Sequence, residues 1–180
     1  LTMAGLTLGG RLYGATSRQH TPLGIDAYSV RGFDWNVMEL IDYATSVKID
    51  AIQCSLHEFQ SLEESHLKKV KEHADRVGVA VEPGIGTICP ISERYNKKRH
   101  PDLKEYMLNG LRVAKALNAN SVKCFLGGSS DRHNPPPMPE KIEATIKSLK
   151  NIRSQTADSG IKFALETHGD VLARELKTII

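Results

Sequence analysis

No apolar run in this sequence approaches the roughly 18–20 residues that a helical membrane span needs. Cysteine is scarce as well. Cys54, Cys89 and Cys124 lie far apart and form no CxxC pair, so a zinc motif and a disulfide framework are excluded and the thiols read as buried or incidental. Neither sign of charge dominates: Lys and Arg total 24 against 21 Asp and Glu, a net of +3, too little to argue for nucleic acid or an anionic membrane surface. No strand runs into GxGxxG and GxxxxGK[ST] is missing, so neither a dinucleotide site nor a P-loop is supported. GxSxG and HExxH are missing too. What is there is ordinary globular composition: 180 residues, 40% hydrophobic, 25% charged and only 6% aromatic. That length buries a sizeable core, most simply in one domain.

The two ends stand apart from the rest. Leu1 to Gly10 is apolar and rich in small residues, and Tyr13-Gly14-Ala15-Thr16-Ser17 has the small side chains suited to signal-peptidase cleavage. Residues 1–17 read as the remnant of an export signal, which would make the protein periplasmic. The alternative is a disordered tail or short hairpin strand on a cytoplasmic protein. Residues 1–20 are set aside on either reading. Leu172 to Ile180 reads as a helix that breaks off with no Gly or Pro stop signal.

From Pro22 onward, short β-rich runs alternate with 3.6-period runs. The expected strands are Leu23–Val30, Ile49–Ser55, Val79–Glu82, Ser121–Leu126 and Ile161–Glu166. Between them lie helical stripes on Val37, Leu40, Ile41, Ala44 and Val47, on a run from Ser61 to Val77, on Leu103 to Leu117, and on Ile142, Ile146, Leu149 and Ile152. Asp34 and Asp170 have the character of N-caps, Ser61 and Glu64 the spacing of a capping box, and Gly78 that of a helix stop. Strict βα alternation implies parallel strands with right-handed crossovers. Long loops, Pro83–Pro101 and Gly127–Pro139, follow only strand C-termini, the edge at which parallel α/β folds build sites.

A doubly wound sheet and part of a (β/α)₈ TIM barrel both fit this alternation. Five units over residues 21–180 average about 32 residues, and eight would need about 256, near the roughly 250 typical of the barrel. Polarity favours the barrel also. One strand face carries Gln53, Ser55, Glu82, Lys123, Lys162 and Glu166, and the other Ile52, Cys54, Val79, Val81, Val122, Cys124, Phe163 and Leu165. Central strands of a doubly wound sheet are apolar on both faces. The expectation is an α/β chain holding the first five βα units of a barrel, with residues 21–180 as its N-terminal part and Gln53, Ser55 and Glu166 directed inward.

Glu166-Thr167-His168-Gly169-Asp170 is the most informative stretch. A carboxylate and an imidazole meeting at a barrel mouth suit a divalent cation, or acid–base work beside one. They are equally a solvated strand-end Glu and a loop hydrogen-bonding His. His57, Glu82 and Arg31 end or follow the other strands and are candidates for substrate binding; each alone reads as readily as a surface polar group. Lys123 is a candidate to neutralise an inward carboxylate. The basic run Asn96-Lys97-Lys98-Arg99-His100 reads as a solvated loop face, Gly127-Gly128 as loop glycines, and Pro135-Pro136-Pro137 as a stiffened loop.

Leu23-Gly24-Ile25-Asp26-Ala27-Tyr28-Ser29, Ile52-Gln53-Cys54-Ser55 and Ala164-Leu165-Glu166-Thr167-His168-Gly169-Asp170 resemble the xylose isomerase-like TIM-barrel superfamily, most closely its sugar phosphate isomerase/epimerase type. The resemblance covers about residues 22–180. It implies a divalent metal (Mn²⁺, Mg²⁺, Co²⁺ or Zn²⁺) at the barrel mouth, with Glu166 as the strand-five ligand and the remaining Asp, His and Glu ligands on strands six to eight. Two branches fit poorly. Strand four ends Phe125-Leu126-Gly127-Gly128 without the histidine of endonuclease IV, and residues 167–173 lack the second Glu of the ketose epimerases.

The resulting expectation is a metal-dependent isomerase or epimerase of a small sugar or polyol. Glu166 and His168 would do the proton chemistry beside a metal-stabilised enediolate. A metal-dependent lyase or hydrolase on the same barrel, or a non-catalytic binding module, are the alternatives. With strands one and five as edges, the 180-residue chain is not expected to be a stable, active monomer by itself; pairing with a second copy is the alternative.

Overall fold

The computed structural model describes residues 21–180; the export-signal or tail reading of residues 1–20 lies outside them. Five parallel strands form one sheet in sequential order: β1 (Gly24–Asp26), β2 (Ala51–Ser55), β3 (Ala80–Thr87), β4 (Ser121–Phe125) and β5 (Lys162–Glu166). Helices α1 (Val37–Ser46), α2 (Glu64–Val77), α3 (Leu103–Leu117) and α4 (Met138–Asn151) are the crossovers; a short α5 (Arg153–Ser159) follows α4, and α6 (Ala173–Ile179) follows β5. A doubly wound sheet reverses strand order at a switch point. Here β1-β2-β3-β4-β5 never reverses, so with right-handed crossovers every helix lies on one face. That is the wall of a barrel.

Period-two alternation makes the wall two-sided. Ile52, Cys54, Val81, Val122 and Cys124 are buried on the helix side, packed with Leu40, Ile41, Leu67, Val70, Met107 and Leu111. The inner face carries the polar set, and register aligns it in rows: Asp26 opposite Gln53 opposite Glu82, then Ser55 opposite Gly84 opposite Lys123, then Phe125 opposite Glu166.

Several local expectations are corrected. The first strand stops at Asp26, because the Asp26 carboxylate accepts the Tyr28 N–H at 2.9 Å and turns residues 27–33 into a 3₁₀ segment. Asn36, not Asp34, caps α1: its Oδ1 accepts from Met38 N and Glu39 N, while Glu39 Oε2 accepts from Asn36 N. Ser61 Oγ accepts from Glu63 N, one residue early, and no capping box forms with Glu64. Gly78 does stop α2, at φ 76°. The fourth helix is interrupted at the buried Ile152.

The largest correction is β3, which runs on to Thr87 through Pro83-Gly84-Ile85-Gly86, a stretch that reads as loop. Pro and Gly normally end a strand. Here close packing selects the glycine: a Cβ at Gly84 would stand 2.4 Å from Gln53 Nε2. An irregular register between Gly84 and Thr87 absorbs the misfit against β4.

Candidate functional site

A cavity of about 730 Å³ opens at the C-terminal edge of the strands. Asp26, Ser55, Lys123 and Glu166 reach it from the strands, His57 from the 3₁₀ turn Leu56–Glu58, and His168 from the loop after β5. Its further walls are Phe125 and Tyr106, with Arg94, Arg99 and His100 on the rim.

Lys123 organises the charges at its floor. Its ammonium donates to Asp26 Oδ2 at 2.7 Å and lies 3.3 Å from Glu166 Oε2. Burial opposes the Lys123 charge, but the two carboxylates outweigh it and hold its pKa above the ordinary value. Glu166 Oε2 is buried, and apart from this ion pair it makes no hydrogen bond. One acidic oxygen is thus drawn into the cavity and left with capacity to bind.

His168 is fixed beside it. Its ring stacks on Phe125 with centroids 4.4 Å apart, and its Nδ1 lies 2.9 Å from the Gly127 carbonyl. A carbonyl only accepts, so Nδ1 carries a proton, and in the neutral ring the lone pair is on Nε2. Asp170 sets this loop. It is fully buried and accepts from Gly127 N, His168 N and Val171 N, so it builds the loop rather than capping α6, whose N-cap is Leu172.

The other expected site residues scatter. His57 reaches the cavity with 57% of its side chain exposed, 3.4 Å from Glu58. Burial raises the Glu58 carboxyl, against the pull of His57. Glu82, in the same row as Asp26, does not line the cavity; it accepts from Ser121 Oγ at 3.1 Å, and burial raises its pKa. Arg31 is turned away: its guanidinium lies 3.9 Å over the Tyr28 ring and donates to the Tyr28 carbonyl, beside a smaller pocket. Cys54 and Cys124 are inert, their thiols raised by burial, Cys124 to about 12.

Arg94, Arg99, His100 and Tyr106 were not in the expected set. The Tyr106 hydroxyl accepts the Gly86 N–H at 2.7 Å, and the His100 ring stacks on Tyr106 at 3.7 Å. A long loop after β3 was legible, but not the direction in which its basic residues fold.

No protein-family model and no curated protein matches the sequence. Solved structures do match. A D-psicose 3-epimerase crystallised in the presence of D-fructose aligns at 13% identity and a TM-score of 0.65, covering 88% of this chain and 60% of its own. A xylose isomerase domain protein from Planctomyces limnophilus aligns at 17% identity and 0.58, covering 89% and 60%. The IOLI protein with a bound zinc atom aligns at 12% identity and 0.63, covering 89% and 58%. This chain spans about 60% of the length of these structures. Its sequential parallel sheet, one-sided helices and cavity at the strand ends are those of the first five βα units of a TIM barrel, the fold of these structures.

Proposed function

We propose that this cavity is the strand-one-to-five side of the active site of a divalent-metal-dependent isomerase or epimerase acting on a small sugar or polyol. The observation that carries the reading is the buried Glu166 Oε2, which has the Lys123 ammonium 3.3 Å away but no hydrogen bond and lies at the cavity with His168. The sugar epimerase and the zinc-bound protein among the structural matches support it.

Among the described residues no group of three or more His, Cys, Asp or Glu side chains is placed to hold a metal ion. Glu166 fits as a single ligand: a hard carboxylate oxygen, inward, with a free lone pair. A divalent ion bound there would polarise a carbonyl and its neighbouring hydroxyl. The chain's own residues supply the rest. His168 Nε2 accepts a proton from a hydroxyl or from carbon beside a carbonyl, with Nδ1 anchored on Gly127 to keep the ring in place. The Lys123 ammonium pairs with both Asp26 and Glu166 and fixes their carboxyl groups at the cavity floor. Phe125 and Tyr106 give the cavity its apolar wall.

Glu166→Gln tests the reading. Titration of Mn²⁺ and Zn²⁺ into the chain by calorimetry is expected to show at least about tenfold weaker binding in the variant, with the urea midpoint of unfolding unchanged. Undiminished metal affinity would overturn the assignment of Glu166.

A further inference from the structure

Among the described residues, two cations on the cavity rim have no counter-charge. Lys123 is engaged by Asp26 and Glu166, and Arg132 by Glu175. Arg94 and Arg99 line the same cavity, and no carboxylate pairs with either among the described residues. His100 beside them is lowered by burial and by the Arg99 charge, and so is neutral at pH 7.

The loop that carries these arginines is braced at both ends. Arg94 N donates to Ser92 Oγ, which donates to the buried Asp131 at 2.9 Å. At the far end the Tyr95 hydroxyl donates to the His100 carbonyl, and Arg99 N donates to Asn96 Oδ1. Between them Arg94 lies flat across Gly128, where a Cβ would stand 2.7 Å from its Cδ and 3.0 Å from its Nη1. Gly128 has an ordinary extended φ of −146°, so what glycine gives there is the space that Arg94 occupies, not a special conformation. Arg99 lies near the other wall: its charge bears on both Tyr106 and His100. Lys97 and Lys98, in the same loop, do not line the cavity.

We propose that Arg94 and Arg99 form an anion clamp on the cavity rim, so that the sugar bound here carries a carboxylate or a phosphate. Guanidinium groups suit both, because their planar N–H pairs match two oxygens at once. The proposal rests on the sugar reading for its substrate, but the clamp itself concerns only this chain's arginines.

Calorimetric titration of the whole chain with D-fructose, D-fructose 6-phosphate, D-glucuronate and inorganic phosphate tests it. Wild type, Arg94→Ala/Arg99→Ala and Lys97→Ala/Lys98→Ala are compared at low and moderate salt. The expectation is that at least one anionic sugar binds about tenfold or more tightly than D-fructose, and that only the arginine variant loses this preference. The glucuronate and phosphate arms tell which anion the clamp takes. If D-fructose binds as tightly as both anionic sugars, the clamp is wrong and the sugar site stands. If inorganic phosphate binds through the arginines while no sugar binds, the clamp stands and the sugar reading falls. Equal weakening by the lysine and arginine variants would reduce the effect to general loop charge and overturn the clamp. Absence of any binding would overturn both.

Discussion

Lys123 and Lys141 both hold a carboxylate within 3.0 Å, yet they sit in opposite surroundings. Lys141 and Asp131 are completely inaccessible to solvent. Every polar atom there is engaged: the Lys141 ammonium also donates to the Asp131 and Asn134 carbonyls, while the Asp131 carboxylate accepts from Ser92 Oγ, Gly128 N and Glu93 N. This joins the loop after β3 to the loop after β4. The Lys141 contact and the backbone N–H donors hold the Asp131 pKa below the usual carboxylate range, although burial alone would raise it. Around Lys123 the side chains of Lys123, Asp26 and Glu166 keep 26%, 40% and 36% of their exposure, and the Glu166 oxygen facing Lys123 is buried without a hydrogen bond. Complete satisfaction makes the first pair a brace. Incomplete satisfaction at an open mouth leaves the second available to a ligand.

The largest expected effect tests that contrast directly. Lys141→Met leaves Asp131 charged, buried and short of a partner, and should cost about 3–5 kcal/mol in urea unfolding. Lys123→Met, at a partly hydrated group, should cost about 1 kcal/mol or less. Equal losses would break the distinction between brace and site.

The glycine pair sharpens it. A Cβ at Gly127 would lie 2.2 Å from Asp131 Oδ2 and 2.9 Å from Ser92 Oγ, inside the sealed network. Gly127→Ala should therefore cost about 1–3 kcal/mol. At Gly128 the obstacle is the flexible Arg94 side chain, so Gly128→Ala should cost well under about 1 kcal/mol. Its effect should fall on anion affinity instead, because Arg94 must lift off the rim. Thermal melts and the phosphate titration read the two separately; a large stability loss at Gly128 would count against this account.

The smallest effect is expected at Glu82. Burial raises the Glu82 carboxyl. A carboxyl with a raised folded pKa binds protons more readily folded than unfolded, so its cost is full above the folded pKa and fades as pH falls towards the unfolded value. Glu82→Gln should then be neutral or stabilising at pH 7, by less than about 1 kcal/mol, and the gain should vanish in acid. A destabilised variant at pH 7 would mean that the Ser121 hydrogen bond outweighs the burial.

How much of this was legible varies by element. The inward row of Gln53, Ser55, Lys123 and Glu166 follows from period-two alternation, because a strand must turn alternate residues to one face. The Lys123 neutralising role followed from the same row. The extension of β3 through Pro83 and Gly86 was illegible. Its cause is pairing with the neighbouring strands, with Pro83 and Gly84 opposite Cys54 and Ser55 and with Thr87 opposite Phe125, and local propensity contains no trace of it. Asp170 was misread for the same reason: its partner at Gly127 lies 43 residues away.

The sequence by itself determined the α/β alternation, the parallel wall with its greasy and polar faces, and the convergence of Glu166 and His168 at the strand ends. Those depend on periodicity and chain order, which neighbouring residues encode. Only the tertiary structure decided the protonated nitrogen of His168, the sealing of Asp131 with Lys141, the withdrawal of Arg31 onto Tyr28 and the turning of Arg94 and Arg99 into the cavity. Each of these is set by where a loop packs after the strands align, so it depends on contacts that local sequence preference does not encode.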